Sequence, residues 1–211
     1  MFTDRIHAAN LLVKPLTKYK NCNGVILALP RGGVPLGFVL SQKLNLPLDL
    51  IMTKKIGHPA HAEYAIGSVS MQGMILDEQA RGVSREYIDE EVKKLRKQMM
   101  EKMNLYDGKR KHYELKDKIV ILVDDGVATG NTIFSAIEIV RSLQPEKIVV
   151  AVPIAPPETV RELEKAVDEL ICLSVPEDFR GVGQFYEDFS QVSDEEVIAY
   201  LKQSEKFLPI S

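Results

Sequence analysis

The 211-residue sequence contains no tryptophan, only two cysteines and no long apolar run. A membrane-spanning helix needs about 18 consecutive apolar residues, so none is predicted, and the N-terminus lacks the continuous apolar core of a signal peptide. Cys22 and Cys172 lie far apart without a Cys-x-x-Cys pattern, which argues against a disulfide framework or a structural zinc site. Reduced thiols in a cytoplasmic protein are the simplest interpretation.

An excess of positive charge is also missing. Lys and Arg number 27 against 30 Asp and Glu, which gives a formal net charge of -3. A globally basic surface for nucleic acid or a membrane is therefore disfavoured. The fractions of apolar residues, 45%, and charged residues, 27%, are typical of a globular protein. The length predicts one ample domain, or one domain with an appendage.

Short apolar runs typical of buried strands alternate with segments whose apolar residues recur at helical spacing. Strands are predicted at 24–29, 48–52, 118–123, 147–152 and 169–174, with a hairpin at 65–70 and 74–77. Helices are predicted around 6–13 with Thr3 as a cap, from Pro35, from Ser84 to Tyr106, around 133–143, from Pro156 and after Ser193. The polar segment 53–59, which contains Gly57 and Pro59, is predicted to be a loop. This alternation predicts an α/β fold with a parallel-sheet core flanked by helices.

The pattern divides the chain into three parts. Residues 1–20 form a helical segment expected to pack on the core or on the C-terminal part, 21–174 form the α/β core, and 175–211 form a C-terminal segment too small to fold alone. This last part begins with a loop rich in glycine and aromatic residues. Ser193 to Glu196 has the spacing of a capping box before a short helix. We expect this segment to lie over the edge or the top of the sheet.

The segment from Val120 to Thr132 joins an apolar strand, two carboxylates, a loop with two glycines and a helix start. Ligands of open parallel sheets bind at the carboxyl ends of the strands, and backbone N–H groups at a helix N-terminus stabilise a phosphate. Neither the Walker A pattern nor the dinucleotide fingerprint is present. Asp124 and Asp125 would repel a phosphate but suit vicinal hydroxyls or a metal ion. The pattern therefore predicts a phosphorylated sugar, with its phosphate in the loop 126–132.

This stretch resembles the phosphoribosyl pyrophosphate (PRPP) signature of type I phosphoribosyltransferases, in which an apolar strand and Asp-Asp precede a loop ending Ala-Thr-Gly-x-Thr. The resemblance covers most of the chain, from about residue 20 to residue 190. The segments 53–59 and 179–186 resemble a bacterial and archaeal branch of the family whose acceptor is generally unassigned. The resemblance implies a parallel-sheet core with helices on both faces. It also implies that the segment 175–211 is the family's hood, which selects the acceptor.

The resemblance further implies roles for individual residues. Asp124 and Asp125 would bind the ribose hydroxyls and hold the metal, directly or through water. The implied PRPP-binding residues are Arg31, Gly32, Gly33, Lys54, Lys55, Asp124, Asp125, Gly126, Val127, Ala128, Thr129, Gly130, Asn131 and Thr132. Those with an implied catalytic role are Asp124, Asp125, Arg31 and Lys55, and the implied acceptor-binding residues of the hood are Phe179, Val182 and Tyr186.

The implied activity is Mg²⁺-dependent transfer of the 5-phosphoribosyl group from PRPP to a nitrogen nucleophile, a nucleobase or similar heterocycle, by a cytoplasmic homodimer. Mg²⁺ with Arg31, Lys54 or Lys55 would neutralise the pyrophosphate that leaves an oxocarbenium-like transition state. Which lysine contacts pyrophosphate stays open. A mobile loop at 54–64 would close and exclude water. The alternative is a PRPP-binding regulator or sensor without turnover, and neither function requires nucleic acid or a membrane.

Other side chains have both a structural and a functional interpretation. Phe179, Phe185 and Tyr186 either stack on a planar base or pin the hood to the core. The His-x-x-His pattern within 58–63 suggests a metal pair, but its placement in a loop makes this the less favoured interpretation. The basic cluster 109–112 is favoured as a solvated connection over an anion or nucleic-acid site.

Overall fold

The computed structural model describes residues 1–107 and 112–205, without the side chains of residues 62, 63 and 107. The basic cluster predicted at 109–112 therefore lies outside the described residues, except for His112. Within the described ranges, no helix is both long enough and apolar enough to span a membrane.

A five-stranded parallel sheet forms the centre of the described chain, as predicted, in the order β2-β1-β6-β7-β8. Its strands are β1 (Gly24–Ala28), β2 (Leu48–Leu50), β6 (Ile119–Val123), β7 (Lys147–Ile154) and β8 (Glu169–Ser174). The side chains of β1 are buried along the whole strand, because helices cover both faces of the sheet. The α/β prediction is thereby confirmed.

Six helices alternate with or follow these strands in the described residues. They are α1 (Arg5–Leu16), α2 (Gly33–Leu44), α3 (Arg85–Asp107), α4 (Asn131–Ser142), α5 (Pro157–Ala166) and α6 (Asp194–Glu205). One apolar cluster joins α1, α2 and α6 to one face of the sheet, and a second joins α4 and α5 to the other face. The sheet therefore lies between two helical layers.

Three strands outside the main sheet form a separate antiparallel sheet in the order β3-β4-β5, packed on α3. They are β3 (Lys54–His58), β4 (His61–Val69) and β5 (Met74–Leu76). The prediction of a loop at 53–59 is wrong, because β3 occupies most of this segment and pairs with β4. The completely buried side chain of Ile56 explains the difference, since packing against α3 overrides the polar composition.

Two helices begin at other residues than predicted, and the predicted cap of a third helix is present. The cap of α1 is Asp4 rather than Thr3, since the Asp4 carboxylate accepts the backbone N–H of His7 at 2.7 Å. Helix α2 begins at Gly33, two residues before the predicted Pro35. The capping box before α6 is confirmed by reciprocal bonds between Ser193 and Glu196, of 2.8 and 3.1 Å.

The C-terminal segment folds back onto the N-terminus. The backbone N–H of Phe2 donates to the carbonyl of Phe185 at 2.8 Å, and the N–H of Glu187 donates to the carbonyl of Phe2 at 2.9 Å. Phe2, Ala8 and Tyr186 share an apolar cluster with Ile154 at the end of β7. These contacts bring the N-terminal residues and the segment around Tyr186 to the carboxyl edge of the sheet.

Candidate active site

The strand order reverses between β1 and β6. From β1 the chain continues outward to β2, and from β6 it continues to β7 on the opposite side. Such a switch point opens a crevice at the carboxyl ends of the two strands, where ligands of open α/β sheets bind. The pairing of Ala28 with Val123 sets the loop after β1 beside the carboxylates after β6. The residues singled out in these two segments therefore meet at one place.

Gly32 and Gly33 fit directly against the segment after β6. A Cβ on Gly32 would collide with the carboxylate of Asp125, and one on Gly33 would lie 2.5 Å from the carbonyl oxygen of Val123. The absence of a side chain at both positions allows the two loops to approach this closely. The preceding peptide bond, between Pro30 and Arg31, is cis.

Asp124 and Asp125 form a partly buried carboxylate pair. The Asp125 backbone N–H donates to Asp124 Oδ1 at 2.9 Å. Burial and the adjacent Asp125 charge raise the pKa of Asp124 well above its usual value. Burial also raises the pKa of Asp125, although Arg5 opposes the shift. Two carboxylates held this way accept hydrogen bonds from vicinal hydroxyls or bind a cation.

Arg5 completes this site, and the sequence reasoning missed it. Its guanidinium donates from Nε to Asp125 Oδ2 at 2.8 Å and from Nη1 to the carbonyl of Ser190 at 2.7 Å. The guanidinium carbon also lies 4.1 Å from the centre of the Phe189 ring. One signal was available: an arginine in the first turn of a helix is disfavoured by the helix dipole, so Arg5 needs a compensating partner.

The phosphate loop predicted from 126 to 132 lies at the N-terminus of α4. It surrounds a cavity of about 170 Å³. Gly130 is the N-cap of α4 with a φ of +77°, and a Cβ there would collide with the Phe134 ring, so this position requires glycine. The residues lining the cavity are Asp124, Gly126, Val127, Ala128, Thr129, Gly130, Asn131, Thr132 and Ile133.

A second cavity, of about 380 Å³, lies beside the loop after β1. Thr132 lines both cavities, so they adjoin at the start of α4. Lys54 lines the second cavity and donates from Nζ to Gln98 Oε1 on α3 at 2.8 Å. Lys55 is the next residue of β3 and is directed to the opposite side of the strand. Of the two lysines, the geometry thus brings Lys54 to the cavity.

Arg31, which directly follows the cavity-lining residue Pro30, is engaged by an acidic residue. Its Nη1 lies 3.6 Å from Oδ1 of Asp194, the first residue of α6. Asp194 also accepts hydrogen bonds from Lys102 at 2.6 Å and from the Tyr106 hydroxyl at 2.8 Å. Lys102 lines the second cavity with Lys54. Sequence reasoning did not single out Lys102 or Asp194, because only the tertiary fold brings α3 and α6 together.

Of the three residues implied to bind the acceptor, Tyr186 and Val182 contact the segment of the carboxylate pair. The Tyr186 hydroxyl donates to the Asp125 carbonyl at 2.6 Å, and its buried ring packs on Phe2 and Phe189. Val182 packs against Gly126, where an added Cβ would lie 2.5 Å from a Val182 methyl. The Phe179 ring stacks on Phe185 with ring centres 5.7 Å apart. These contacts attach the C-terminal segment to the site.

Comparison with known proteins relates the chain to one protein family. The family model of the phosphoribosyl transferase domain matches residues 4–190. Two proteins from Mycobacterium tuberculosis strains, CDC 1551 / Oshkosh and ATCC 25618 / H37Rv, are named provisionally as phosphoribosyl transferases. Each is 35% identical over 211 residues, which covers 98% of this chain and 47% of the relative. The chain thus spans about half the length of these curated relatives.

Solved structures share the fold. The protein TT1426 from Thermus thermophilus is 37% identical, with a TM-score of 0.85 covering 96% of this chain and 98% of that one. A hypoxanthine phosphoribosyltransferase from Staphylococcus aureus is 13% identical, with a TM-score of 0.51 covering 91% and 88%, and supports the fold alone. The family match extends from the N-terminal helix past the carboxylate pair and phosphate loop into the C-terminal segment, so the chain belongs to the phosphoribosyl transferase domain family.

Proposed function

We propose that this protein binds PRPP with Mg²⁺ and transfers its 5-phosphoribosyl group to a nitrogen nucleophile, a nucleobase or similar heterocycle, with release of pyrophosphate. One observation carries the proposal. Asp124, which Asp125 follows directly, lines the cavity at the N-terminus of α4, and through Thr132 this cavity adjoins a second one with Lys54 and Lys102 in its wall. A sugar with phosphate groups at both ends fits this combination of two anion sites and a carboxylate pair for its hydroxyls.

The 5-phosphate is assigned to the cavity at α4. Backbone N–H groups at a helix N-terminus favour a phosphate through their free donors and the helix dipole. Thr129 and Thr132 add hydroxyl donors at this cavity. The ribose hydroxyls are assigned to Asp124 and Asp125, which accept their hydrogen bonds. The diphosphate at C1 then extends toward the cavity that contains Lys54.

In the proposed reaction, the bond between C1 and the pyrophosphate oxygen breaks as the acceptor nitrogen bonds to C1. The electron pair leaves with pyrophosphate, and positive charge develops on the ribose ring. Arg31 and Lys54 stabilise the charge of the leaving group, while the carboxylate pair orients the ring and favours its positive charge. The proton lost by the acceptor nitrogen passes to solvent or to pyrophosphate.

The carboxylate pair suits Mg²⁺ as well as hydroxyls. Mg²⁺ prefers oxygen ligands and is usually held by one or two carboxylates, waters and substrate phosphates. In the described parts of the chain, no group of three His, Cys, Asp or Glu side chains is arranged to hold a metal. Because they adjoin the proposed ribose and diphosphate positions, Asp124 and Asp125 are the residues proposed to hold Mg²⁺, directly or through water. When bound, the ion supplies charge stabilisation for the departing diphosphate.

We assign the segment from Val175 onward as the hood that selects the acceptor. Phe179, Val182 and Tyr186 are the residues of this segment proposed to contact the acceptor.

The proposed assembly is a homodimer. Large apolar side chains exposed on α3 support this, since Met100 is 50% and Leu105 is 53% exposed. Sedimentation velocity tests the assembly, and a monomer at micromolar concentration would contradict it.

Pyrophosphate release from PRPP is the decisive assay. The protein, with Mg²⁺, is tested against purines, pyrimidines and pyridine carboxylates, and at least one acceptor should give turnover. In parallel, calorimetry measures PRPP binding to the wild type and to a variant with both Asp124→Asn and Asp125→Asn. We expect binding to be lost in this variant.

The matched control neutralises two carboxylates on α3, with Asp89→Asn and Glu90→Gln, both exposed. Its PRPP affinity should equal that of the wild type. Unchanged affinity in the Asp124–Asp125 variant would contradict the site. Tight PRPP binding without pyrophosphate release for any acceptor would instead identify a PRPP-binding regulator.

A further inference from the structure

Helix α3 brings a cation to the lysine-lined cavity that no sequence motif indicates. Lys102 lies in the last third of α3 and lines the same cavity of about 380 Å³ as Lys54. Pro30, from the loop after β1, lines it too. The cavity is therefore bordered by two ammonium groups from elements that are distant in sequence.

Lys102 is held by the carboxylate of Asp194. The distance from Lys102 Nζ to Asp194 Oδ2 is 2.6 Å, and Arg31 lies 3.6 Å from the other oxygen of this carboxylate. The Tyr106 hydroxyl donates to the same oxygen as Arg31, at 2.8 Å. The hydrogen bond from Lys102 lowers the pKa of Asp194, so this carboxylate remains charged. Asp194 thus supplies one negative charge to two cations beside the cavity.

We propose that Lys102 is a diphosphate-binding residue of this chain and that Asp194 occupies its ammonium group until the diphosphate of PRPP enters the cavity. This inference rests on the proposed function. A lysine ammonium has three N–H donors, so Lys102 can turn from Asp194 to a diphosphate oxygen, or share donors between them. Its side chain is 41% exposed, which leaves it accessible to a ligand in the cavity.

The same arrangement assigns a role to Asp194. A carboxylate beside Arg31 and Lys102 compensates their charge when no anion is bound, and it competes with the diphosphate for both cations. Its backbone position is fixed by the capping box of Ser193 and Glu196 at the start of α6. Asp194 therefore lowers diphosphate affinity, which favours release of pyrophosphate after transfer.

Calorimetric titration with inorganic pyrophosphate tests the proposal. Lys102→Gln should weaken binding by about tenfold, because one charge-assisted hydrogen bond is lost. Lys102→Arg, which keeps the charge, should give an intermediate affinity. The matched control, Lys94→Gln, removes the same charge from the exposed side of α3, where Lys94 pairs with Glu91. Its affinity should remain that of the wild type.

Asp194→Asn provides a second and opposite test. Removing the competing charge while keeping the shape of the side chain should strengthen pyrophosphate binding about two- to fivefold. Melting temperatures of all variants show whether they are folded. Equal affinities for Lys102→Gln and Lys94→Gln would overturn the inference.

PRPP titrations separate this failure from that of the proposed function. The inference alone is wrong if the wild type binds PRPP, substitution of Asp124 and Asp125 abolishes that binding, and Lys102→Gln leaves the affinity for pyrophosphate unchanged. If the folded wild type binds neither PRPP nor pyrophosphate, the proposed function is wrong and the inference falls with it.

Discussion

Arg5 Nε donates to Asp125 Oδ2 at 2.8 Å, across 120 positions of the sequence. The pair joins the first turn of α1 to the carboxylates after β6. Since Arg5 also donates to Ser190 and lies over Phe189, three separate segments meet at one guanidinium. The N-terminal helix is thereby connected both to the site and to the C-terminal segment.

Arg5→Ala should destabilise the protein by about 1 to 3 kcal/mol at neutral pH. Both side chains of the pair are largely buried, with exposures of 11% and 13%, so Asp125 would be left without its cation. Urea denaturation measures the loss. The control, Arg85→Ala, breaks an exposed pair with Asp89, with exposures of 68% and 61%, and should cost about 0.5 kcal/mol or less.

The loss caused by Arg5→Ala should also depend on pH. Burial raises the pKa of Asp125, and Arg5 opposes that shift, so removing Arg5 raises the pKa further. A raised folded pKa means that stability is lost as pH rises through it. The destabilisation should therefore be smaller at pH 4 than at pH 8. A destabilisation that is the same at both pH values would contradict an ionic role for the pair.

Asp124→Asn should stabilise the protein at alkaline pH while removing PRPP binding. Burial and the Asp125 charge raise the pKa of Asp124 above its unfolded value of about 3.9. The wild type therefore has its full stability from this group below the unfolded pKa and loses it as pH rises through the folded pKa. The asparagine variant cannot ionise and should gain on the order of 1 kcal/mol at pH 8.

Denaturation of both proteins from pH 4 to pH 8 measures this gain. The control is Asp89→Asn, a substitution at an exposed carboxylate that is 61% accessible, which should change stability by about 0.5 kcal/mol at most. If the free energy of unfolding changed with pH in parallel for the wild type and Asp124→Asn, ionisation of Asp124 would not lower the stability of the protein.

The parts of the site that were predictable are contiguous in sequence. Strand β6, the carboxylate pair and the loop before α4 form one uninterrupted segment, and local patterns suffice to identify such a unit. The proximity of Gly32 to Asp125 was not predictable in this way, because it requires β1 and β6 to be neighbours and local patterns do not give the order of strands in a sheet. Only the family resemblance placed residues 31–33 at the ligand site.

The remaining parts depend on tertiary contacts between distant segments. The 53–59 segment has polar and turn-forming residues, yet burial of Ile56 under α3 makes it a strand. Lys102 and Asp194 belong to amphipathic helices whose charged residues resemble any solvated face. Only the packing of α3 against α6 brings these two side chains within 2.6 Å.

Tyr186→Phe should cost about 1 to 2 kcal/mol of stability, because the Asp125 carbonyl loses its hydroxyl donor. The bond is 2.6 Å long and the Tyr186 side chain is buried. PRPP affinity should fall as well, since the backbone of Asp125 is less firmly held. The control is Tyr64→Phe at a ring that is 53% exposed. Equal stabilities for the two variants would exclude this anchoring role.

Gly32→Ala should damage both stability and PRPP binding. The added methyl group would collide with the Asp125 carboxylate, so either the loop after β1 or the carboxylate pair must move. Forcing an extra methyl group into a well-packed site costs about 1 to 3 kcal/mol. Because Arg31 precedes Gly32 directly, the displacement also shifts the cation proposed to face pyrophosphate.

Gly181→Ala is the matched control for stability. An added Cβ at Gly181 meets no atom of the described structure within 4 Å, and its φ of 164° is extended backbone that any residue adopts. Its stability should equal that of the wild type or exceed it by about 0.5 kcal/mol, since alanine restricts the unfolded chain. Urea denaturation and PRPP calorimetry measure both variants. If Gly32→Ala retained wild-type stability and affinity, the close contact between the two loops would not be what holds the site together.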